Sequence, residues 1–242
     1  YQAADIEHRK TIRAIEKWVG LAGGNVAVQV HNPLPVGRGY GTSTADIGAA
    51  LFALSRALNK RLSASEAAQV AVQIEPTDST FFPGLTLFDH REGKMVMPLG
   101  KAPSARLIVL DPGGMVDSEE YNQRDLKEPL ARLKDEHFHA FQLLKQGIME
   151  DNLPAIAQAS TMSAKIHQAI LYNPLIDYAL LVAKQFGALG ICRAHSGTVV
   201  GLIFSGDVDH DIYDHLPSKI PIPVQIRSAK ITGGGTVYDI FG

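Results

Sequence analysis

The segment from Pro35 to Leu58, PVGRGYGTSTADIGAALFALSRAL, strongly limits how this chain can fold locally. Its first ten residues contain three glycines and three Ser or Thr side chains, and an apolar, alanine-rich stretch follows. Large apolar residues in that stretch step by four, three and four positions, which is the spacing of one helix face: Ile47, Leu51, Leu54 and Leu58. The segment therefore predicts a glycine-rich loop that leads directly into a buried helix.

Such a loop is suited to bind a phosphate group. Glycine has no Cβ, so the backbone at Gly37, Gly39 and Gly41 can approach a ligand closely. A helix N-terminus adds unpaired N–H donors and the positive end of the helix dipole. The three hydroxyls that follow can cap the helix, contact phosphate oxygens or bind Mg²⁺. A plain glycine-rich turn with a Ser/Thr N-cap explains the same residues, so both interpretations stay open here.

Two carboxylates follow at the end of the next predicted helix. Glu75 lies at its C-terminal end, where the helix dipole disfavours a negative charge, and Asp78 follows in a turn. Mg²⁺-assisted phosphoryl transfer needs one carboxylate that holds the metal and another that orients or deprotonates the attacking hydroxyl. Taken singly, each residue is better explained without a function, Glu75 as a solvated carboxylate and Asp78 as the cap of a turn.

Helices and strands are grouped along the chain rather than strictly alternating, which favours the α+β class over a doubly wound sheet. The stretch KAPSA at 101–105 predicts a boundary between a domain 1–100 and a domain 101–242. A charged turn is predicted at Arg91–Lys94. Strands are predicted at 26–30, 106–111, 189–194, 198–204 and 224–231, and helices at 5–19, 47–58, 64–75, 126–148, 156–171 and 175–186.

The composition argues against several classes of protein. The formal net charge of −2 gives no indication of binding to nucleic acid or to a membrane surface. A single cysteine, Cys192, excludes a disulfide framework and is typical of a reducing compartment. The chain has no apolar run long enough to span a bilayer. We therefore expect a cytoplasmic protein that binds neither nucleic acid nor membrane, with Cys192 packed in a strand.

The loop and the two carboxylates together resemble the GHMP kinase superfamily, which includes galactokinase and the homoserine, mevalonate and phosphomevalonate kinases. The central motif of that superfamily has the form Pro-x-x-x-Gly-Leu-Gly-Ser-Ser-Ala. The corresponding positions here are held by Pro35, Gly39, Tyr40, Gly41, Thr42, Ser43 and Thr44. Tyr40, Thr42 and Thr44 depart from the motif, while both glycines and the second serine are kept.

This resemblance implies a two-domain α+β fold, with a ribosomal-S5-like N-terminal domain that binds ATP and a ferredoxin-like C-terminal domain. It implies ATP and Mg²⁺ as cofactors. Ser43 and Glu75 would hold the metal, and Asp78 would be the catalytic residue that orients or deprotonates the acceptor hydroxyl. The implied ATP-binding residues are Pro35, Gly37, Gly39, Gly41, Thr42, Ser43 and Thr44.

The superfamily also has a glycine-rich turn between two strands of its second domain. The segment Gly187–Phe204 matches that turn, with His195, Ser196 and Gly197 at its centre as candidate substrate contacts. The first motif of the superfamily, an N-terminal Pro-Gly-x-x-x-Glu segment, is not in this sequence. Because the chain opens with Tyr1, we expect the first strands of the fold to precede it.

Within the superfamily, the segments Glu75–Gly100 and Cys192–Phe204 are most similar to the L-threonine kinase branch. Members of that branch phosphorylate the threonine hydroxyl for the aminopropanol side chain of cobalamin. The expected partners are therefore ATP and a small amino-acid alcohol, with L-threonine preferred. A homoserine or other hydroxy-acid kinase on the same scaffold is an alternative. So is a nucleotide-binding regulator without catalysis, although the joint presence of metal-binding and base residues argues against it.

Overall fold

The computed structural model of the chain describes residues 9–20, 28–116, 121, 123–209 and 211–236. These residues form two compact units. The first unit holds the described residues within 1–36, 41–100 and 233–242, and the second holds those within 37–40 and 101–232. The units differ from domains 1–100 and 101–242 in two short segments. The ATP-binding role assigned to domain 1–100 stays a prediction.

The first unit combines helices with one antiparallel hairpin. Its described α-helices and strands are α1 (Arg9–Val19), α2 (Thr42–Ala57), α3 (Ala64–Val72), β1 (Leu85–Phe88) and β2 (Val96–Gly100), and a short 3-10 helix spans Ser79–Phe81. β1 pairs with β2 in antiparallel fashion, and the predicted charged turn Arg91–Lys94 lies between them. Neither strand was predicted from the sequence. Strand residues of β1 are all half-buried, and β2 contains a proline and a terminal glycine, which are depleted in strands.

Helix α2 forms the centre of the first core. Ile47, Leu51 and Leu54 are buried as their spacing predicts. Ile47 and Leu51 pack with alanines of α1 and α3, and Trp18 lies partly buried against the same cluster. Small alanines let the helices approach closely, so the N-terminus of α2 is held in a fixed place relative to the turn that follows α3.

The predicted capping box at the start of α3 is confirmed. The hydroxyl of Ser63 accepts a hydrogen bond from the Glu66 backbone N–H at 3.2 Å, and the Ser63 N–H donates to the Glu66 carboxylate at 2.7 Å. The Ser63 hydroxyl also donates to the Glu66 carboxylate, and this bond together with the one from the Ser63 N–H lowers the pKa of Glu66. The helix ends at Val72, earlier than predicted, and Glu75 lies in the turn beyond it, ahead of Pro76.

Replacing Ser63 by alanine is expected to lower the free energy of unfolding by about 1 kcal/mol, because the cap of α3 is lost. Urea unfolding followed by circular dichroism measures this change. Ser65→Ala is the matched control, since Ser65 is exposed and is the second residue of the same helix. Equal stability of the two variants would show that the capping box contributes nothing to this fold.

The second unit is a four-stranded antiparallel sheet with helices. Its strands are β3 (Arg106–Asp111), β4 (Gly190–Arg193), β5 (Val200–Phe204) and β6 (Gln225–Lys230), in the order β4-β5-β3-β6. Its described helices are α4 (Lys127–Arg132), α5 (Lys134–Met149), α6 (Leu153–His167), α7 (Leu175–Gln185) and α8 (Asp211–His215). Ile108 and Leu202 on one sheet face pack with α7. Ile203 on the opposite face packs with Ala157 of α6. The chain therefore has the predicted α+β class.

The structure differs from the sequence prediction at two further places. Of the strand predicted at 26–30, residues 28–30 form no strand, and residues 26 and 27 lie outside the described residues. The single helix predicted at 126–148 is two helices, α4 and α5. Leu133 ends one and begins the other, because its ψ of 12° departs from helical geometry.

Two expectations drawn from composition can be compared with the structure. The described helices include none that is both long and apolar enough to cross a membrane. Cys192 packs against the buried cluster of Ala105, Ala157 and Ile203 in the second unit, and burial raises the pKa of its thiol to about 11. The prediction of a packed, unreactive thiol at this position agrees with that environment.

Candidate active site

Helix α2 begins at Thr42 with Gly41 as its N-cap residue. Gly41 has a φ of 70° and a ψ of 20°, a left-handed conformation that glycine adopts without strain. A Cβ at this position would lie 3.2 Å from Oδ2 of Asp78, so a side chain would also crowd that carboxylate. No described side chain caps the helix. The capping role considered for the hydroxyls after the loop is therefore not what the structure shows.

Two carbonyls of the glycine loop accept hydrogen bonds, whereas its N–H groups donate none to the described part of the chain. Backbone N–H groups from Gly37 to Thr44 donate no hydrogen bond to any residue that the structure describes. In contrast, the Gly37 carbonyl accepts from the Val116 N–H at 2.9 Å, and the Arg38 carbonyl accepts from the Thr198 N–H at 2.9 Å. Unpaired donors at a helix N-terminus are the arrangement that binds an oxyanion.

Ser43 and Glu75, the two predicted metal ligands, are in contact. The Ser43 hydroxyl, in the first turn of α2, donates a hydrogen bond to Oε1 of Glu75. The ammonium group of Lys10 on α1 lies 2.5 Å from Oε2 of the same carboxylate, whose side chain is only 9% exposed. The nearly buried Glu75 is thus held between a hydroxyl and a cation. The geometry fixes its position beside the start of α2.

The donors gathered at Ser43 and Glu75 fit a magnesium ion. Mg²⁺ prefers oxygen ligands and usually binds through one or two protein oxygens together with water and substrate phosphates. A hydroxyl and a carboxylate in contact provide two such oxygens. Within the described residues, no group of three His, Cys, Asp or Glu side chains forms an alternative all-protein metal site. The magnesium-binding role of Ser43 and Glu75 stays a prediction that this geometry supports.

A pair of buried threonines holds the turn that carries Asp78. The Asp78 backbone N–H donates to the Thr44 hydroxyl at 3.2 Å, and the Thr44 and Thr77 hydroxyls share a hydrogen bond of 2.9 Å. Thr44 is 4% exposed and Thr77 is 1% exposed. Thr44 therefore positions Asp78 in this structure, and its predicted contact with ATP stays untested.

The environment of Asp78 favours a carboxyl group that takes up a proton. Burial of the carboxyl raises the pKa of Asp78, the negative charge of Glu75 raises it further, and His90 acts in the opposite direction. A general base is most effective when its pKa lies closer to neutral pH than that of a free aspartate. This environment therefore fits the base role that the sequence predicts for Asp78.

In the second unit, the predicted turn at His195–Gly197 lies directly against the glycine loop. A Cβ on Gly39 would lie 2.3 Å from Cβ of Ala194, and a Cβ on Gly197 would lie 2.3 Å from the Arg38 carbonyl oxygen. Only glycine permits these approaches. His195 is exposed, and its carbonyl oxygen lies 3.0 Å from Nε2 of His167.

The remaining residues predicted to contact ATP or substrate lie either in this turn or in the segment from Pro35 to Thr42. Ser196 is half-buried in its turn, and its substrate contact, like that of His195, stays a prediction. Pro35 is half-buried, and Thr42 is buried at the first position of α2. Gly37 lies beside Met115, whose Cγ would be 2.4 Å from a Cβ at that position.

The sequence analysis missed two charged residues, Lys10 and Asp111, which hold the Glu75 carboxylate and the glycine loop in place. Lys10 lies on a helix with many charged residues, where a lysine is typical of a solvated face. Asp111 ends a strand before Pro112 and Gly113, where an aspartate is typical of a turn. Their partners, Glu75 and the glycine loop, are 65 and 71–73 positions away along the chain. Only the fold reveals such contacts.

Comparison with known proteins shows the family to which this chain belongs. The family described as GHMP kinases N terminal domain matches residues 8–82. The chain is 30% identical over 215 residues to an L-threonine kinase of Citrobacter freundii. The aligned residues cover 87% of this chain and 75% of that relative. The chain therefore belongs to the GHMP kinases.

A second relative and two solved structures extend this finding. An L-threonine kinase of Salmonella typhimurium is 32% identical over 187 residues, covering 77% of this chain and 62% of the relative. Mevalonate kinase of L. major in complex with R-mevalonate superposes with a TM-score of 0.68 at 17% identity, covering 95% and 79% of the two chains. Homoserine kinase of Cytophaga hutchinsonii gives 0.65 at 14% identity, covering 96% and 78%. At these identities the structures show the shared two-domain GHMP kinase fold.

Proposed function

We propose that this protein is an ATP-dependent kinase that phosphorylates the hydroxyl of L-threonine to form O-phospho-L-threonine. The observation that carries the proposal is the contact between the Ser43 hydroxyl and the Glu75 carboxylate at the start of α2. There a magnesium-compatible oxygen pair adjoins backbone N–H groups that have no partner among the described residues. This combination supports the binding of a nucleoside triphosphate.

Each group in the first unit has a role in this reaction. The unpaired N–H groups at the start of α2 donate to phosphate oxygens. Ser43 and Glu75 would hold Mg²⁺, which would neutralise phosphate charge. Lys10 keeps the Glu75 carboxylate in place.

The proton of the acceptor hydroxyl goes to Asp78. As it leaves, the hydroxyl oxygen forms a bond to the γ-phosphorus of ATP, and the bond from that phosphorus to the β–γ bridging oxygen breaks. ADP departs with the bridging oxygen, and the protonated Asp78 later returns its proton to solvent. Alignment of the reactants and electrostatic stabilisation supply most of the rate in such a reaction.

The choice of L-threonine as acceptor rests on the two relatives that are named L-threonine kinases. Homoserine and mevalonate kinases share the fold at 14–17% identity, which carries no information about the acceptor. We further propose that the product serves the aminopropanol side chain of cobalamin, as the resemblance of the segments Glu75–Gly100 and Cys192–Phe204 to L-threonine kinases implies. We also propose that the reaction takes place in the cytoplasm, because a single cysteine is typical of a reducing compartment.

The acceptor is tested by measuring ADP release from ATP–Mg²⁺ with the full chain and a panel of alcohols. The panel is L-threonine, L-serine, L-homoserine, mevalonate and pantoate, with a reaction lacking acceptor as control. We expect turnover with L-threonine well above the other four. Turnover with another alcohol would keep the kinase and reject threonine. Binding of ATP without turnover on any alcohol would instead support a nucleotide-binding regulator.

A further inference from the structure

Asp111, the last residue of β3, is a fully buried carboxylate in contact with the glycine loop. Its Oδ2 accepts hydrogen bonds from the Arg38 guanidinium at 3.1 Å and from the Tyr40 hydroxyl at 3.0 Å. Its Oδ1 accepts from the Gly113 N–H at 2.9 Å. The Asp111 side chain is 0% exposed, whereas that of Arg38 is 26% exposed. One carboxylate thus holds the residues on both sides of Gly39.

A buried carboxylate is stable only when its charge and its lone pairs are satisfied. Arg38 supplies the compensating charge, and Tyr40 and Gly113 supply further donors. Burial and the Asp111 carboxylate raise the pKa of Tyr40, so its phenol keeps the proton that it donates. Loss of Arg38 or Tyr40 would leave Asp111 under-satisfied, so the three side chains stabilise one loop conformation together.

The backbone of the same segment is tied down independently. The Arg38 carbonyl accepts from the N–H groups of Thr198 and Val199, at 2.9 and 3.2 Å. The Gly37 carbonyl accepts from Val116 at 2.9 Å. Because these carbonyls are engaged, the loop N–H groups are the ones left for a ligand. The conformation that leaves them free is the one that the side chains of Arg38 and Tyr40 secure.

We propose that Asp111 is a positioning residue that fixes the Gly37–Tyr40 loop in its phosphate-binding conformation through Arg38 and Tyr40. The consequence for catalysis rests on the proposed kinase function, whereas the fixing of the loop does not. The proposal also explains the tyrosine at position 40, where the superfamily motif has leucine. A leucine there would fill space but would donate nothing to the buried carboxylate.

The proposal is tested with Tyr40→Phe, which removes one hydroxyl and keeps the ring. Amide hydrogen exchange is measured without nucleotide at Thr198, Val199 and Val116, the donors to the loop. We expect exchange there to become about 10-fold faster, because a hydrogen bond to a charged group is lost. Tyr172→Phe is the matched control, since Tyr172 is 67% exposed. Unchanged exchange in Tyr40→Phe would overturn the proposal.

Kinetics of the same variant test the consequence for nucleotide binding. We expect Tyr40→Phe to raise KM for ATP–Mg²⁺ about 10-fold with kcat nearly unchanged, because the loop is less often in its binding conformation. Arg38→Lys keeps the positive charge beside Asp111 and should therefore raise KM less than Arg38→Met does. Unchanged KM in both Tyr40→Phe and Arg38→Met would overturn the positioning role.

Failure of the proposed function gives a different result. A wild-type chain that phosphorylates none of the five alcohols, with faster exchange in Tyr40→Phe, would reject the kinase and keep the fixed loop. A wild-type kinase whose loop exchange and KM are both insensitive to Tyr40→Phe would keep the kinase and reject the role of Asp111. Asp111→Asn is the second variant, and its folding is checked by circular dichroism before exchange is measured.

Discussion

Replacing Glu75 by glutamine is expected to lower the rate of ADP release by about 100-fold or more, with the fold intact. Glutamine has the same shape and keeps an oxygen that can accept from the Ser43 hydroxyl. It removes the negative charge that attracts Mg²⁺ and that pairs with Lys10. The loss should shrink as Mg²⁺ concentration rises, because weaker binding is then compensated by mass action. A magnesium titration of steady-state rates measures both effects.

The control for this experiment is Glu92→Gln. Glu92 is in the same unit, carries the same charge and pairs with Lys94, but its side chain is 60% exposed. Exposed pairs contribute little, so this variant should behave as the wild type. If Glu75→Gln showed wild-type rates at every Mg²⁺ concentration, Glu75 would have no part in the site.

Replacing Asp78 by asparagine is expected to lower kcat by roughly 100- to 10,000-fold while changing KM for ATP much less. Asparagine cannot accept the proton of the acceptor hydroxyl. The backbone N–H of residue 78 would still donate to Thr44, so the turn keeps its anchor. Asp207→Asn is the matched control, because it removes the same charge at a side chain that is 89% exposed. A variant that lost ATP binding with kcat intact would contradict the base role.

The same variant should also be more stable than the wild type at neutral pH. The raised pKa of Asp78 means that the folded chain holds this proton more tightly than the unfolded chain does. The resulting stabilisation is present below the usual aspartate pKa and is lost as pH rises through the raised value. Above it, the ionised carboxylate lies beside Glu75 and opposes folding. Thermal unfolding of wild type and Asp78→Asn should therefore diverge as pH increases.

Much of the local structure could be predicted from periodicity and caps. The helix face at Ile47, Leu51 and Leu54 and the capping box at Ser63 both follow from short-range rules, and both are confirmed. The hairpin β1–β2 could not be predicted this way. Its strands lack a clear alternation of buried and exposed residues, and they are defined by pairing with each other.

The candidate site likewise contains some residues that short-range patterns predict and others that only the fold brings together. Gly41, Ser43 and Glu75 stood out because their types and spacing fit phosphate chemistry, and the structure brings Ser43 and Glu75 into contact. Lys10 and Asp111 had no such signal. A lysine on a helix and an aspartate before a turn are ordinary surface features, and only long-range packing turns them into partners of a buried carboxylate and a loop.

The N-cap residue of α2 is Gly41, so no described side chain accepts a hydrogen bond from the first N–H groups of this helix. Helices commonly gain about 1 kcal/mol from a Ser, Thr, Asp or Asn cap, and α2 forgoes that gain. An anion bound to its first N–H groups would serve as the cap that the sequence omits. Folding of the first unit and binding of a phosphate would then use the same N–H donors, which have no partner among the described residues, so each is expected to strengthen the other.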